Sequence, residues 1–353
     1  MSLPRRLDAL QRRRPWLGFP IAVVFKFADD HGVYLSALIT YYGFLALFPL
    51  LLLLTSVLGF LLEGESELRD RILETAVSQF PVLGSQLDDP TGFSGSTPAV
   101  VIGALLALWG GIRASQATLH MMNICWAVPR HKRPDPLRSP LHSLQLIGVA
   151  GVMLLGTTAV SVIAGAASSL GVELRSMVQV LVVGLSFLVA LVFFAMGMRF
   201  GTVYAVTWGQ VLPGAVVSSV AWLLLQQFGI AYVGRVVQNS GDAYGVFAVV
   251  LGLVGFLFIT AQIVVLSVEV NVVRAKRLWP RALLAPFTDD VELTEADQRI
   301  YEDVAAATTV KDYQEVEVRF DQPESDPEPV RPEVPHPDGQ KAGGLSTPRR
   351  DGE

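Results

Sequence analysis

Apolar residues gather into six long runs along this chain, at 33–62, 98–126, 141–167, 177–198, 211–232 and 245–273. Short charged, proline- or glycine-containing stretches separate them. Crossing a hydrocarbon core ~30 Å thick takes ~20 residues of helix, and each run reaches that length. A water-soluble core could not bury six such segments. The pattern predicts an all-α, polytopic membrane protein with six transmembrane helices.

The flanking segments carry weaker patterns. Residues 16–31 mix Phe19, Val23, Val24 and Phe27 with Lys26, Asp29 and Asp30. That mixture predicts a short interfacial helix, with a solvated lead-in as the other reading. Residues 63–97 are acidic, and Leu68, Ile72, Leu73, Ala76 and Phe80 share one side of a helix that would cap the outer mouth of the bundle. Thr294 with Asp297 resembles a capping box and predicts a helix over 294–307. Beyond Gln322 the chain is rich in Pro, Glu and Gly and lacks the apolar content to fold. The expected organisation is a basic lead-in over 1–32, a six-helix domain over 33–281, an acidic, partly helical segment over 282–322 and a disordered tail over 323–353.

Composition agrees with the pattern: 51% of the 353 residues are hydrophobic and 17% are charged. The net charge of −5 hides a division. Residues 289–353 carry 18 acidic and 7 basic side chains, whereas residues 1–288 carry 14 acidic and 20 basic ones. Around the runs, 15 Lys and Arg fall on one side and four, Arg69, Arg71, Arg175 and Arg235, on the other. The positive-inside rule then puts both termini in the cytoplasm. No small-x-small cleavage site follows a short apolar core, so the first run is expected to stay in the membrane. The single cysteine, Cys125, excludes an intramolecular disulfide.

Polar groups inside apolar runs are the candidates for function. Arg113 falls near the middle of the second run, and Gln116, His120 and Asn123 follow it on one helical face. The expectation is a polar stripe that faces the bundle interior, lines a cavity and binds an anionic group. A snorkelling or purely structural arginine is the competing reading. Glu269 and Asn271 stand near the end of the sixth run, with Arg113 or Arg199 as the expected partner of the carboxylate. Tyr41 and Tyr42 would line the cavity or pack. Pro49 should kink the first helix by freeing the Leu45 carbonyl. Gly110, Gly111, Pro213 and Gly214 are further hinge candidates, Pro213-Gly214 opening the fifth span. Catalytic constellations are missing from the sequence: no HExxH, GxxxxGK[ST] or GxSxG occurs. No cofactor, metal or nucleic-acid partner is expected, and the chain is read as a non-enzyme.

Several segments carry a resemblance. Residues 36–49, Ser-Ala-Leu-Ile-Thr-Tyr-Tyr-Gly-Phe-Leu-Ala-Leu-Phe-Pro, resemble the first-span signature of the YihY/BrkB family, with Ala46 where Ser is usual. Leu108-Trp109 through Asn123, Val211 to Ala215 with Tyr232, and Ala243 to Phe247 followed by Leu266 to Asn271 resemble three further family segments. Ser267-Val268 stands where Gly-Ala is usual. The resemblance covers about residues 20–280. It implies a six-span protein of the bacterial cytoplasmic (inner) membrane, once labelled a ribonuclease and carrying a virulence-factor association. It also implies a role in transporting lipid or envelope components. The expected function is a transporter or flippase of an anionic lipid or envelope component, with membrane lipids as partners. A structural protein that recruits a cytoplasmic partner through its acidic tail is the alternative. A homo-oligomer stays open, and ribonuclease activity is disfavoured.

Overall fold

The structure, a computed structural model, describes residues 8, 11, 15–61, 97–133, 139–167, 172–236, 242–288 and 291–320. The expected outer helix over 66–80 and the tail over 323–353 lie outside the described residues. Within them helices are the regular elements and no strand occurs.

The segment expected to be interfacial is a helix, α1 (Pro15–Asp29). Six long helices follow: α2 (Gly32–Leu61), α3 (Thr97–Cys125), α4 (Ser139–Ala167), α5 (Val172–Phe200), α6 (Trp208–Val236) and α7 (Asp242–Lys276). They match the six apolar runs with ends displaced by a few residues. Helices of 29 residues or more span ~44 Å at 1.5 Å per residue. Among the described residues, Met177–Phe200, Trp208–Gly229 and Val250–Lys276 are each long and apolar enough to cross a membrane. Gly32–Leu47 and Gln145–Val160 are shorter apolar stretches.

The six helices form a closed ring. Each packs on its neighbour in sequence, from α2–α3 through α6–α7, and α7 returns to pack on α2. Helix α7 also touches α1 and α3. Two glycines set the closest approaches. A Cβ on Gly110 would stand 2.9 Å from the Ala46 Cα, so α2 and α3 meet backbone to backbone there. A Cβ on Gly214 would stand 2.1 Å from the Ser267 carbonyl oxygen, which fixes the α6–α7 crossing.

Pro49 and Pro213 both lie inside helices. Helix α2 continues through Pro49 to Leu61. Pro213 lies inside α6, which begins at Trp208 instead of at the proline. Proline has no N–H for the carbonyl four residues back. That carbonyl, of Gly209, accepts from Arg274 Nη1 of α7 at 3.4 Å.

One end of the ring gathers most of the tertiary hydrogen bonds. There α3 and α7 stop through residues in the left-handed region, Ala127 (φ 51) and Arg277 (φ 55), while the N–H groups of Val128 and Leu278 donate back to Asn123 and Val273. His31 (φ 54) turns the chain between α1 and α2 in the same way. Trp126 stacks on Tyr204 at 5.0 Å, and Lys276 Nζ donates to the Trp126 carbonyl.

Helix α8 (Glu295–Ala307) docks on this end. Its capping box, Thr294 with Asp297, forms as the sequence predicts. Asp297 also accepts from Arg281 Nε at 2.5 Å and from the Ala282 N–H at 2.8 Å. Arg281 reaches Asp29 of α1 at 3.0 Å, and Lys276 pairs with Asp303 at 2.8 Å. Burial alone would lower the Arg281 guanidinium, but Asp29 and Asp297 hold it above its ordinary value. Ile300 is buried, and the Thr309 carbonyl accepts from the His131 N–H. The residues up to about 310 therefore pack with the helical body and are not a free acidic tail.

Candidate functional site

A cavity of about 560 Å³ lies inside the ring, and all six long helices contribute to its wall. Its polar residues are mainly threonines. Thr40, Thr118, Thr157 and Thr260 line it, and each hydroxyl donates to a carbonyl three or four residues earlier in its own helix. Such back-bonding satisfies the hydroxyl locally, so it presents little polarity to the interior. Aliphatic side chains, Met122, Met198 and three aromatic rings complete the wall: Phe193 meets Phe194 at 5.1 Å, and Trp222 lies 6.5 Å from Phe194. Gly43 and Gly197 also line the cavity, and a Cβ on either would meet nothing within 4 Å. The volume falls in the range of about 300–1,000 Å³ typical of small-molecule pockets. Its chemistry suits hydrocarbon, and no charged side chain lines it.

The residues expected to line a cavity do not line this one. Arg113 and His120 are exposed, and Gln116 is half-buried. Their stripe lies on the outside of α3, while Ser115, Thr118 and Met122 of the same helix face the cavity. Helical spacing puts residues on a shared face but does not say which way the face points, and the inward expectation was wrong on that ground. Arg113 donates to Gln116 Oε1 at 3.4 Å and lies 5.8 Å from the Trp109 ring centre. Tyr41 is exposed and Tyr42 half-buried, the two rings 5.1 Å apart, and the neighbouring Thr40 takes the inward position instead.

Asn123 and Asn271 are clamps. Asn123 Oδ1 accepts from Thr202 Oγ1 and the Val203 N–H, both at 3.3 Å, and so holds the turn after α5. Asn271 Oδ1 accepts from the Gly214 N–H at 2.7 Å, and its Nδ2 donates to Met198 Sδ at 3.2 Å. One side chain thus ties α5, α6 and α7. Gly214 is at once the hinge candidate and the close-approach residue, because only a hydrogen side chain leaves room for Asn271.

Glu269 pairs with neither Arg113 nor Arg199. Arg199 lies 5.4 Å from the Trp208 ring centre. The cation nearest Glu269 is Lys26 of α1, with Nζ 3.9 Å from Oε2. Lys26 forms an ion pair with Asp30 and donates to the Cys125 carbonyl at 3.5 Å. The carboxylates of Asp30 and Glu269 and the Cys125 sulfur lie within 4.8 Å of one another, all buried. Burial would lower the Lys26 ammonium, but Glu269 and Asp30 raise it above its ordinary value, so it stays charged. Three groups of metal-binding type therefore meet here, but a lysine ammonium already stands among them and supplies the positive charge a metal would bring. This cluster lies just beyond one end of the cavity: Met122 lines the wall with Cys125 three residues on, and Val264 lines it with Glu269 five residues on.

Sequence reasoning read Lys26 only as a topology charge and as a polar position of an interfacial helix. Its spacing of four from Asp30, inside an otherwise apolar helix, was the available sign of a buried pair.

Long apolar helices closed into a ring, with charge concentrated at one end, define a helical membrane protein. A family model described as Virulence factor BrkB matches residues 23–288, and the chain belongs to that family. The match spans α2 to α7 and the C-terminal half of α1, and stops before α8. No curated protein and no solved structure matches the chain.

Proposed function

We propose that this protein takes the hydrocarbon chain of a membrane lipid into its central cavity and moves that lipid within the bilayer, as a transporter or flippase without a catalytic step. The observation that carries this reading is the cavity wall: all six helices build it, and its four threonine hydroxyls are turned to their own backbones. In this reading all six long helices cross a bacterial cytoplasmic membrane. The end that holds Lys276, Arg281 and α8 faces the cytoplasm, on the strength of the positive-charge count. An anionic head group would meet Arg113 on the outside of α3, apart from the chain site.

The test is native mass spectrometry of gently extracted protein, wild type beside Gly43→Phe, Gly197→Phe and Arg113→Ala. Both glycines border open space, so a phenyl ring there fills the cavity with little cost in folding. Wild type should carry a lipid that both glycine variants lose. Loss in Arg113→Ala only of anionic species would support a separate head-group contact. The same lipid on wild type and on both cavity-filled variants would refute the assignment.

A further inference from the structure

The buried cluster holds two carboxylates and one ammonium, and it is short of one positive charge. Asp30 and Lys26 compensate each other in their ion pair. Glu269 is left over. Its exposure is zero, and among the described residues neither of its carboxylate oxygens has a hydrogen-bond partner. The Lys26 ammonium is already engaged by Asp30 and the Cys125 carbonyl, and at 3.9 Å it is beyond hydrogen-bond reach of Glu269. A bare carboxylate in such a place neutralises itself or draws in a counter-charge.

We propose that Glu269 is a proton-binding site, its proton shared with Asp30, and that loss of the proton loosens the contact between α1 and α7. The groups that act on Glu269 are Lys26 from α1, Asp30 from the turn before α2 and Cys125 from α3. Helices α2 and α6, which also pack on α7, add no titratable group to that set. A proton fits where a metal ion does not, because it needs no space beside the ammonium. Two carboxyl groups this close hold one proton between them more readily than two negative charges. Burial pushes the Asp30 carboxyl up from its ordinary value, against the pull of Lys26.

The sign follows directly. The packed cluster binds the proton more tightly than a cluster opened to water. Packing is therefore favoured in acid and loses its advantage as pH rises above the ordinary carboxylate range. Once the open form has released its proton and while the packed cluster still holds its own, each pH unit shifts the balance about tenfold toward the open form, and the shift ends when the packed cluster releases too.

Cys125 is the chain's single cysteine, and it is buried against this cluster, so its thiol reports the opening. The experiment is N-ethylmaleimide labelling of full-length protein in nanodiscs over a pH series. Each rate is divided by that of detergent-unfolded protein at the same pH, which removes the thiol's own ionisation. Wild type should show a normalised rate that climbs with pH, while Glu269→Gln stays low and flat. Asp30→Asn should shift the climb to a different pH, since it removes the partner that shares the proton. A flat wild-type profile, or an equal climb in Glu269→Gln, overturns the proposal. So does metal analysis that finds one equivalent of a metal ion on wild type and none on Glu269→Gln.

Discussion

Replacing Asp297 by Ala should release α8 from the helical body. The carboxylate is fully buried and makes three kinds of contact: the bond from Arg281 Nε, the bond from the Ala282 N–H, and the α8 capping box with Thr294. A hydrogen bond to a charged group contributes ~1.5–3 kcal/mol and a buried N–H left unpaired costs ~1–3 kcal/mol. A lost cap costs ~1 kcal/mol. Arg281 keeps Asp29, so the terms do not add in full, and about 3–5 kcal/mol is the expected loss, the range found when a buried ion pair is broken. At ~1.4 kcal/mol per factor of ten, the docking equilibrium shifts by roughly 150- to 4,000-fold. Hydrogen exchange of residues 295–307, followed by mass spectrometry, reads this as faster exchange of the α8 amides with the α5 and α6 amides unchanged. Glu295→Ala is the control, because its pair with Arg299 is exposed and contributes less than ~1 kcal/mol. Wild-type protection of α8 in Asp297→Ala would refute the reasoning, and so would an equal effect from the control.

Three further outcomes follow from the same packing. Lys26→Met removes the positive charge facing Asp30 and Glu269 and should cost about 3–5 kcal/mol; Lys26→Met with Asp30→Asn should recover most of it, both read by thermal unfolding in detergent. Gly214→Val drives a side chain into the Ser267 carbonyl and Asn271, so the α6–α7 contact must spread, with a loss of at least ~1–3 kcal/mol; an unchanged melting temperature would refute the close approach. Ala127→Gly relieves a left-handed residue at the end of α3 and should raise stability by up to ~1 kcal/mol, and a lower melting temperature would count against that cap.

The six helices were legible because each apolar run is as long as a bilayer is thick, and the α8 cap because Thr294 and Asp297 stand three apart. The facing of α3 was not. Arg113, Gln116 and His120 share a stripe by arithmetic, but the direction of that stripe depends on where α2 and α4 pack. The cavity escaped notice for a related reason: it is built from threonine, glycine and methionine that look unremarkable in an apolar run and meet only when six helices close. Glu269 was visible as the odd acid in its run, but its partner lies some 240 positions away in a helix read as surface-bound. The docking of α8 was hidden too, since a net acidic segment reads as solvated until Arg281 and Lys276 are seen beneath it.

Ring order has a consequence for biosynthesis. Helices α2 to α6 each need only a neighbour already made, so an arc can assemble as the chain emerges. Helix α7 comes last, and it alone touches α1, α2, α3 and α6. Until it arrives, the arc stays open along one side and the cavity lacks its α7 wall. Lys26 and Asp30 wait without Glu269, and α8 has no Lys276 or Arg281 to dock against. A chain arrested before α7 is therefore an open arc, and the arrival of one helix completes the cavity wall, the charge cluster and the seat for α8 in a single step.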